Sequence, residues 1–112
     1  MRNTKRSIQS GVTIDGVALI WHLHREQQWS TEGKMRGLAI HVRVAELVRR
    51  ELFLEYPVVR RRLSDYSMDK LNAKQTIATS KVERHIREAM TAGWDPESRG
   101  KPFVYEVAEL PS

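Results

Sequence analysis

Three histidines offer the clearest ligand chemistry in the sequence. His22 and His24 lie two residues apart, and His41 lies in a later segment of alternating residues. Neutral imidazole is a common ligand of zinc and copper, and alternate residues of a strand share one face. The same pattern is typical of a solvent-exposed sheet face on which histidines and Arg43 pair with glutamates across strands. Because no His-Glu-x-x-His or comparable signature adds a ligand, we favour the exposed face and assign no metal and no cofactor.

Nucleophilic and acid–base catalysis find little support. The chain has no Gly-x-Ser-x-Gly elbow, and its six scattered glycines fit turns and helix caps better than a phosphate-binding loop. His85 falls beside the apolar stripe of a predicted helix, where a histidine is typically a packed boundary residue. The glutamates that could form a catalytic pair each have an arginine close in sequence, which is typical of surface ion pairs. We therefore expect a protein that is not an enzyme.

Positive charge is concentrated in one segment. Residues 57–87 carry eight basic and three acidic side chains, a net charge of +5. Such a segment could contact phosphates of a nucleic acid or another polyanion. The chain has no stacking aromatic pair of the RNA-binding type, no helix-turn-helix and no Gly-x-x-Gly loop, so nucleic acid is the less favoured partner. The candidate anion-binding residues are Arg60, Arg61, Arg62, Lys70, Lys74, Lys81, Arg84 and Arg87.

The first half of the chain predicts four strands. Apolar residues alternate at Ile8, Val12 and Ile14 and again from Val17 to Leu23, which predicts strands over 7–14 and 17–28. The pair Asp15-Gly16 between them predicts a hairpin with a type I′ turn. Alternation from Leu38 to Ala45 predicts a third strand, and residues 52–56 predict a fourth that Pro57 ends. The charge pattern of residues 45–51 also fits a turn of helix, but we favour a non-helical turn.

The second half predicts one helix and one strand. Residues 57–70 show no clean period and predict a loop. A helical period begins at about Lys74, and Gly93 stands where a left-handed residue ends a helix, before Asp95-Pro96. Residues 103–107 then predict a final strand. The apolar stripe of the helix contains Ile77, Ala78, Val82, Ile86, Ala89 and Met90.

These elements predict an α+β protein of order ββββαβ, with a mostly antiparallel sheet of about five strands and one main helix packed on one face. The second strand has apolar residues on both faces at its middle, since Ala18 and Ile20 point away from Leu19 and Trp21. A single helix covers one face only. The other face is then covered by a loop or by a second subunit. Alternatively it faces solvent, and the central strand tolerates aliphatic residues there. A homodimer is therefore one of the open alternatives.

Composition limits the protein class. The chain has 112 residues and is expected to form a single domain over 1–112, with residues 1–6 as a disordered tail. It has no cysteine, which excludes a disulfide scaffold and thiolate metal sites. Its longest apolar run, residues 17–21, is too short to cross a membrane, and its polar start lacks a secretory signal. We expect a cytoplasmic protein with no membrane partner.

The C-terminal quarter carries a signature. Residues 93–96 (Gly-Trp-Asp-Pro), followed by residues 99–103 (Arg-Gly-Lys-Pro-Phe), resemble those of a family of small bacterial proteins of unknown function. The resemblance extends over much of the chain, through the opening strand with Trp21 and the helix, and it implies a bacterial origin and an association with mobile gene cassettes. It brings no activity and no functional residue. The sequence thus predicts a small binding protein with an unknown protein partner or itself as partner.

Overall fold

The computed structural model describes residues 8–29, 32–59 and 76–112. Over these residues it has one main sheet, a small second sheet and one helix packed against the main sheet. In chain order the elements are β1 (Gln9–Ile14), β2 (Val17–Arg25), β3 (Gln28–Trp29), β4 (Met35–Arg36), β5 (Ala39–Val44), β6 (Leu52–Glu55), α1 (Thr79–Ala92) and β7 (Phe103–Glu106). The main sheet has the order β1-β2-β5-β6-β7, and β3 pairs with β4. The predicted α+β class and the mostly antiparallel five-stranded sheet are confirmed.

The first hairpin forms as predicted. Strands β1 and β2 pair antiparallel with Ile14 opposite Val17, and the turn has φ of 51° at Asp15 and 81° at Gly16. Positive φ at both central residues is the geometry of a type I′ turn, whose twist matches that of the paired strands. The hairpin therefore fixes which residues of β1 and β2 face the helix.

The second strand is shorter than predicted. It ends at Arg25 rather than at residue 28, and its register with β5 shifts between Leu23 and Arg25. Beyond the shift the buried Gln27 pairs its side-chain amide with the backbone of Val59, accepting from its N–H at 2.7 Å and donating to its carbonyl at 3.3 Å. The strand ends at this irregularity in pairing, which depends on contacts between strands and has no counterpart in the sequence pattern.

The loop between β5 and β6 and the pairing of the final strand can both be compared with the sequence predictions. Residues 45–51 contain no helix, so the preferred turn is confirmed. Strand β7 pairs with β6 in parallel, with Leu52 opposite Phe103, whereas the other pairs of the main sheet are antiparallel. Parallel pairing requires a crossover, and the chain between β6 and β7 contains α1.

The core lies between α1 and one face of the main sheet. Trp21 at the centre of the sheet is 2% exposed, and Val82, Ile86 and Ala89 of α1 are fully buried. Burial of this apolar surface is the main source of stability in a domain of this kind. The other buried apolar residues are Ile14, Leu19, Leu38, Ala39, Ile40, Val42, Val44, Leu52, Leu54, Tyr56, Trp94 and Val107.

The helix begins later than predicted and ends where predicted. It starts at Thr79 because Ala78 is extended and donates its N–H to the carbonyl of Pro111 at 2.7 Å. At its end Gly93 has φ of 129°, and the Trp94 N–H returns to the carbonyl of Ala89 at 2.9 Å. The Trp94 indole is buried and donates to the Arg50 carbonyl at 3.1 Å, so it anchors the corner after the helix. The predicted tail 1–6 and the part of the predicted loop after residue 59 lie outside the described residues.

Candidate functional site

The face of the main sheet opposite α1 carries the predicted histidines. We call it the helix-free face, because in the described part of the chain no helix covers it, and define it by Ile20, His22, His41, Arg43 and Phe53. Cross-strand pairing sets these residues side by side: Ile20 faces Arg43, His22 faces His41, and His41 faces Phe53. The sequence alone indicates that His22, His24 and His41 could approach one another if their strands are antiparallel neighbours. Strands β2 and β5 are such neighbours, and they place His22 opposite His41.

The imidazole rings of His22 and His41 face each other through their Nδ1 atoms. Nδ1 of His41 lies 3.4 Å from Nδ1 of His22, and the ring centroids are 4.7 Å apart. On the other side of the His41 ring, Nε2 lies 3.4 Å from a carboxylate oxygen of Glu51. His24 lies near the pair but packs against the Phe53 ring, with 5.0 Å between centroids. The predicted trio is therefore a close pair with a third histidine beside it.

Both histidines of the pair are held neutral. Burial lowers the pKa of His22, and the neighbouring His41, His24 and Arg43 lower it further. Burial also lowers the pKa of His41, while the Glu51 carboxylate opposes that shift. Near neutral pH each ring therefore has one protonated nitrogen and one free lone pair, the form in which imidazole binds metals.

Pairing with glutamates on the same face is confirmed for His41, which contacts Glu51, but Arg43 is directed to backbone carbonyls and not to the glutamate that we predicted. Arg25 bonds to Glu55 at 2.6 Å and donates Nε to the Gly37 carbonyl at 3.0 Å. This ion pair joins residues on either side of Ala39, which is fully buried on this face. Arg43 directs its guanidinium to the carbonyls of Val44 and Ala45 at 3.3 and 3.1 Å.

The described cations of the basic segment are paired with carboxylates. Lys81 and Arg84 both contact Glu109, and Arg87 lies 3.3 Å from Glu83. These contacts leave the three side chains less available to an external anion. The remaining anion-binding candidates lie outside the described residues: Arg60, Arg61, Arg62, Lys70 and Lys74.

A buried hydrogen-bonded chain that the sequence did not predict runs through His85. The ring is fully buried; Nδ1 lies 2.9 Å from the Tyr56 hydroxyl and Nε2 lies 3.1 Å from a carboxylate oxygen of Glu109. His85 is thus a core residue and not the boundary residue that we predicted. Its spacing to Val82, Ile86 and Ala89 is the helical stripe itself, and that signal could have placed it correctly.

The pKa shifts of Tyr56 and His85 favour one hydrogen-bond arrangement of this chain near neutral pH. Burial raises the pKa of Tyr56, so its hydroxyl stays protonated. Burial lowers the pKa of His85, while Glu88 opposes the shift. The arrangement in which Tyr56 O–H donates to Nδ1, and Nε2–H donates to Glu109, satisfies every polar group without moving a proton.

The loop between β5 and β6 exposes two consecutive apolar side chains. Leu47 is 57% exposed and Val48 is 90% exposed. Beside them lies a groove of 610 Å³, lined by Gly16, Val17, Ala18, Val44, Ala45, Glu46, Leu47, Arg49 and Glu97. Neither feature has a signal in the sequence, because exposure of an apolar residue in a turn depends on what packs around it.

Hydrogen bonds fix the backbone of this loop at both ends. Ala45 donates to the carbonyl of Ala18 at 2.9 Å, and Arg50 donates to that of Ser98 at 2.8 Å. Arg43 holds the Ala45 carbonyl as described above, and Arg49 Nη1 holds the Val48 carbonyl at 2.9 Å. We call residues 45–49 the apolar loop. Its three middle side chains, Glu46, Leu47 and Val48, are exposed on a backbone that is held at both ends.

Searches for a metal site, for a membrane-spanning helix and for similar proteins give no further indication of the function. In ranges 8–29, 32–59 and 76–112, no group of three or more His, Asp or Glu side chains is arranged to hold a metal ion. Within the same ranges, no helix has the length and apolar character that crossing a bilayer requires. Comparison of the chain with protein families, curated proteins and solved structures gives no match.

Proposed function

We propose that the chain is a small non-catalytic protein of the bacterial cytoplasm that binds a protein partner through the apolar loop. The observation that carries this proposal is the exposure of Leu47 and Val48, 57% and 90%, on a backbone fixed at both ends. Scattered surface apolar residues are ordinary, but two adjacent ones beside a groove form a patch typical of contact sites.

The fixed backbone favours the interpretation that the exposed residues of the loop bind a partner over the interpretation that they have no role. Ordering a mobile loop on association costs free energy, and a loop already held by hydrogen bonds avoids much of that cost. The neighbouring groove has Ala18, Val44 and Ala45 in its wall, so apolar side chains of a partner would meet apolar surface there. Together the loop and the groove offer a protrusion and a recess side by side.

A second copy of the chain is the partner that this surface fits best. A two-fold contact requires a self-complementary patch, in which a protrusion of one copy enters a recess of the other. The rim carries both signs of charge, with Glu46 and Glu97 beside Arg49, so opposite charges can meet across a two-fold axis. We therefore expect self-association through this loop.

Light scattering coupled to size-exclusion chromatography tests this proposal. We expect the wild-type protein to approach twice its 13.0 kDa chain mass as concentration rises. Val48→Asp places a charge in the patch and should weaken self-association at least tenfold. Leu110→Asp is the matched control, since Leu110 is also exposed, at 37%, but lies outside the loop and its groove. The control should associate like wild type.

Photo-crosslinking in cells distinguishes a different protein partner from no partner. A photoreactive residue at position 48 should give one discrete adduct, whose mass tells self-association from a heterologous complex. A photoreactive residue at position 92, which is exposed on the helix, should give no such adduct. A strictly monomeric protein at high concentration, together with no adduct from position 48, contradicts the proposal.

Polyanion binding through the basic segment is the alternative proposal. It depends on the five cations at positions 60–62, 70 and 74, because Lys81, Arg84 and Arg87 are engaged with carboxylates. The apolar loop is the better supported site, because its two apolar side chains are exposed on a fixed backbone while the cations of α1 are paired with carboxylates.

A further inference from the structure

We propose that His22 and His41 form a two-histidine binding site for a tetrahedral transition-metal ion, with zinc as the best fit. The site lies on the helix-free face and not at the apolar loop, so it does not depend on the proposed protein partner. Charge pairing across strands explains the positions of Glu51 and Arg25. It does not explain why the nitrogen atoms of two imidazole rings face each other, and the metal site does.

The distance between the two nitrogens selects the coordination geometry. Zinc binds imidazole nitrogen at about 2.0–2.1 Å, and two ligands of a tetrahedron at that bond length are about 3.3–3.4 Å apart. The Nδ1 atoms of His22 and His41 are 3.4 Å apart. Adjacent ligands of a square-planar site would be about 2.8–2.9 Å apart at a similar bond length, so copper(II) would require the rings to move closer.

Glu51 sets the tautomer that a metal site needs. Its carboxylate lies 3.4 Å from Nε2 of His41, and a carboxylate only accepts hydrogen bonds, so it favours the proton on Nε2. The Nδ1 lone pair of His41 then faces His22. A carboxylate behind a metal-binding histidine orients the ring and increases its basicity. In the absence of metal, His22 Nδ1–H donates to this lone pair. When a metal ion binds, that proton leaves Nδ1 and Nε2 of His22 takes up a proton from water, so both Nδ1 lone pairs face the metal and both rings stay neutral.

The scaffold holds both rings in position. His22 and His41 are direct cross-strand partners on β2 and β5, two interior strands of the main sheet, and His41 is 9% exposed. His41 also packs on Phe53 with 4.8 Å between ring centroids. Since the partly buried His22 leaves one side of the pair open to solvent, water completes the coordination. Two protein ligands predict a weaker site than a structural zinc centre with four.

The surrounding charges act in opposite directions. Arg43 lies close enough to lower the pKa of both histidines and would repel a cation, while Glu51 attracts one. The Arg43 guanidinium is directed to the carbonyls of Val44 and Ala45. His24, the third imidazole nearby, is held against Phe53 and is not assigned as a ligand.

Isothermal titration of the tag-free full chain with zinc chloride at pH 7.5 tests the site. We expect one zinc ion per chain. His22→Gln and His41→Gln should each weaken binding at least tenfold, and Glu51→Gln should weaken it severalfold because the His41 tautomer is no longer fixed. His24→Gln is the matched control, on the same face and strand, and should bind within twofold of wild type. Val48→Asp should also leave zinc binding unchanged.

A second measurement identifies the coordinating atom. Nitrogen-15 spectra of the imidazole rings should show that zinc shifts Nδ1 of both histidines and leaves Nε2 of His41 protonated. Circular dichroism establishes that each variant is folded. The proposal is overturned by absence of zinc uptake at millimolar concentration, by wild-type binding in His22→Gln, by equal losses in His24→Gln and His22→Gln, or by coordination through Nε2.

Discussion

His85 shows how a single polar side chain becomes part of an apolar core. A buried imidazole without partners would cost free energy, because each unpaired polar group loses its bonds to water. The Tyr56 hydroxyl at 2.9 Å and the Glu109 carboxylate at 3.1 Å occupy both ring nitrogens. The three side chains come from the end of β6, from α1 and from the C-terminal segment, so one histidine links three parts of the chain.

Tyr56→Phe should destabilise the protein through His85. The substitution keeps the aromatic ring but leaves the Nδ1 atom of a fully buried ring without its partner. An unsatisfied buried polar group costs about 1–3 kcal/mol, so the free energy of unfolding in urea should fall by that amount. The C-terminal contact through Nε2 should persist.

Tyr105→Phe is the control for that measurement. Its hydroxyl bonds to Glu88 at 3.3 Å on a partly exposed side chain, and water can replace it there. We expect a loss within about 0.5 kcal/mol, as for other surface substitutions. Equal losses in both tyrosine variants would show that His85 does not depend on the Tyr56 hydroxyl.

At the scale of the elements, Gly37 determines how β5 approaches β6. A methyl group added at Gly37 would lie 2.0 Å from the Tyr56 carbonyl oxygen, a backbone atom that cannot move aside alone. The adjacent Tyr56 N–H donates to the Leu38 carbonyl at 2.9 Å, so the two segments are already in contact. We expected the glycines to serve turns and caps, and Gly37 instead permits a close approach of two chain segments.

Gly37→Ala should therefore cost more than an ordinary strand substitution. The clash forces the segments apart and strains a buried contact, an effect of about 1–3 kcal/mol or more. Gly11→Ala, in edge strand β1, is the matched control, since its added methyl would be 3.8 Å from the nearest atom. That substitution should be neutral or slightly stabilising. Thermal unfolding followed by circular dichroism checks both, and a stable Gly37→Ala protein would contradict the interpretation.

The strands of the main sheet and the helix could be predicted from the sequence, but some of their ends and the small β3–β4 sheet could not. Alternation and the Asp15-Gly16 pair identify the first hairpin because those signals are local. The end of β2 depends on the bulge before Arg25, and the start of α1 depends on a hydrogen bond from Ala78 to Pro111. Both are contacts between distant segments, which a periodic pattern does not contain.

At the scale of the whole molecule, a feature can be predicted from the sequence only if it does not depend on contacts between distant segments. The sequence indicates that the histidines lie on strand faces that could approach one another, but neither the pairing of His22 with His41 nor the 3.4 Å between their Nδ1 atoms could be predicted from it. The exposure of Val48 and the chain through His85 depend on the whole packing arrangement. Sequence alone therefore indicates where chemistry could lie, and the fold decides which of those residues meet.

Stability should fall on acidification because three histidines are held neutral by the fold. The pKa values of His22, His41 and His85 are all lowered from the ordinary value of 6.5, with burial as the largest cause. Below pH 6.5 the unfolded chain binds more protons at these positions than the folded chain does. Stability is then fully present above that pH and is lost as the pH falls.

The groups facing the histidines limit this loss but do not reverse its sign. Glu51 favours the charged form of His22 and His41. Glu88 favours that of His85, as does the Glu109 carboxylate 3.1 Å from its Nε2. Arginines on β5 and α1, together with Lys81, act in the opposite direction. The net effect is a lowered pKa for all three rings. Each histidine can contribute at most about 1.4 kcal/mol for each pH unit.

Urea unfolding at pH 7.5, 6.5 and 5.5, with a chelator present to exclude zinc, measures the effect. The free energy of unfolding should decrease between pH 6.5 and 5.5. In the double variant His22→Gln, His41→Gln the decrease should be smaller, because two of the three rings whose pKa the fold lowers are gone while His85 remains. A stability that is constant or rises on acidification over this range would mean that the fold does not hold these rings neutral.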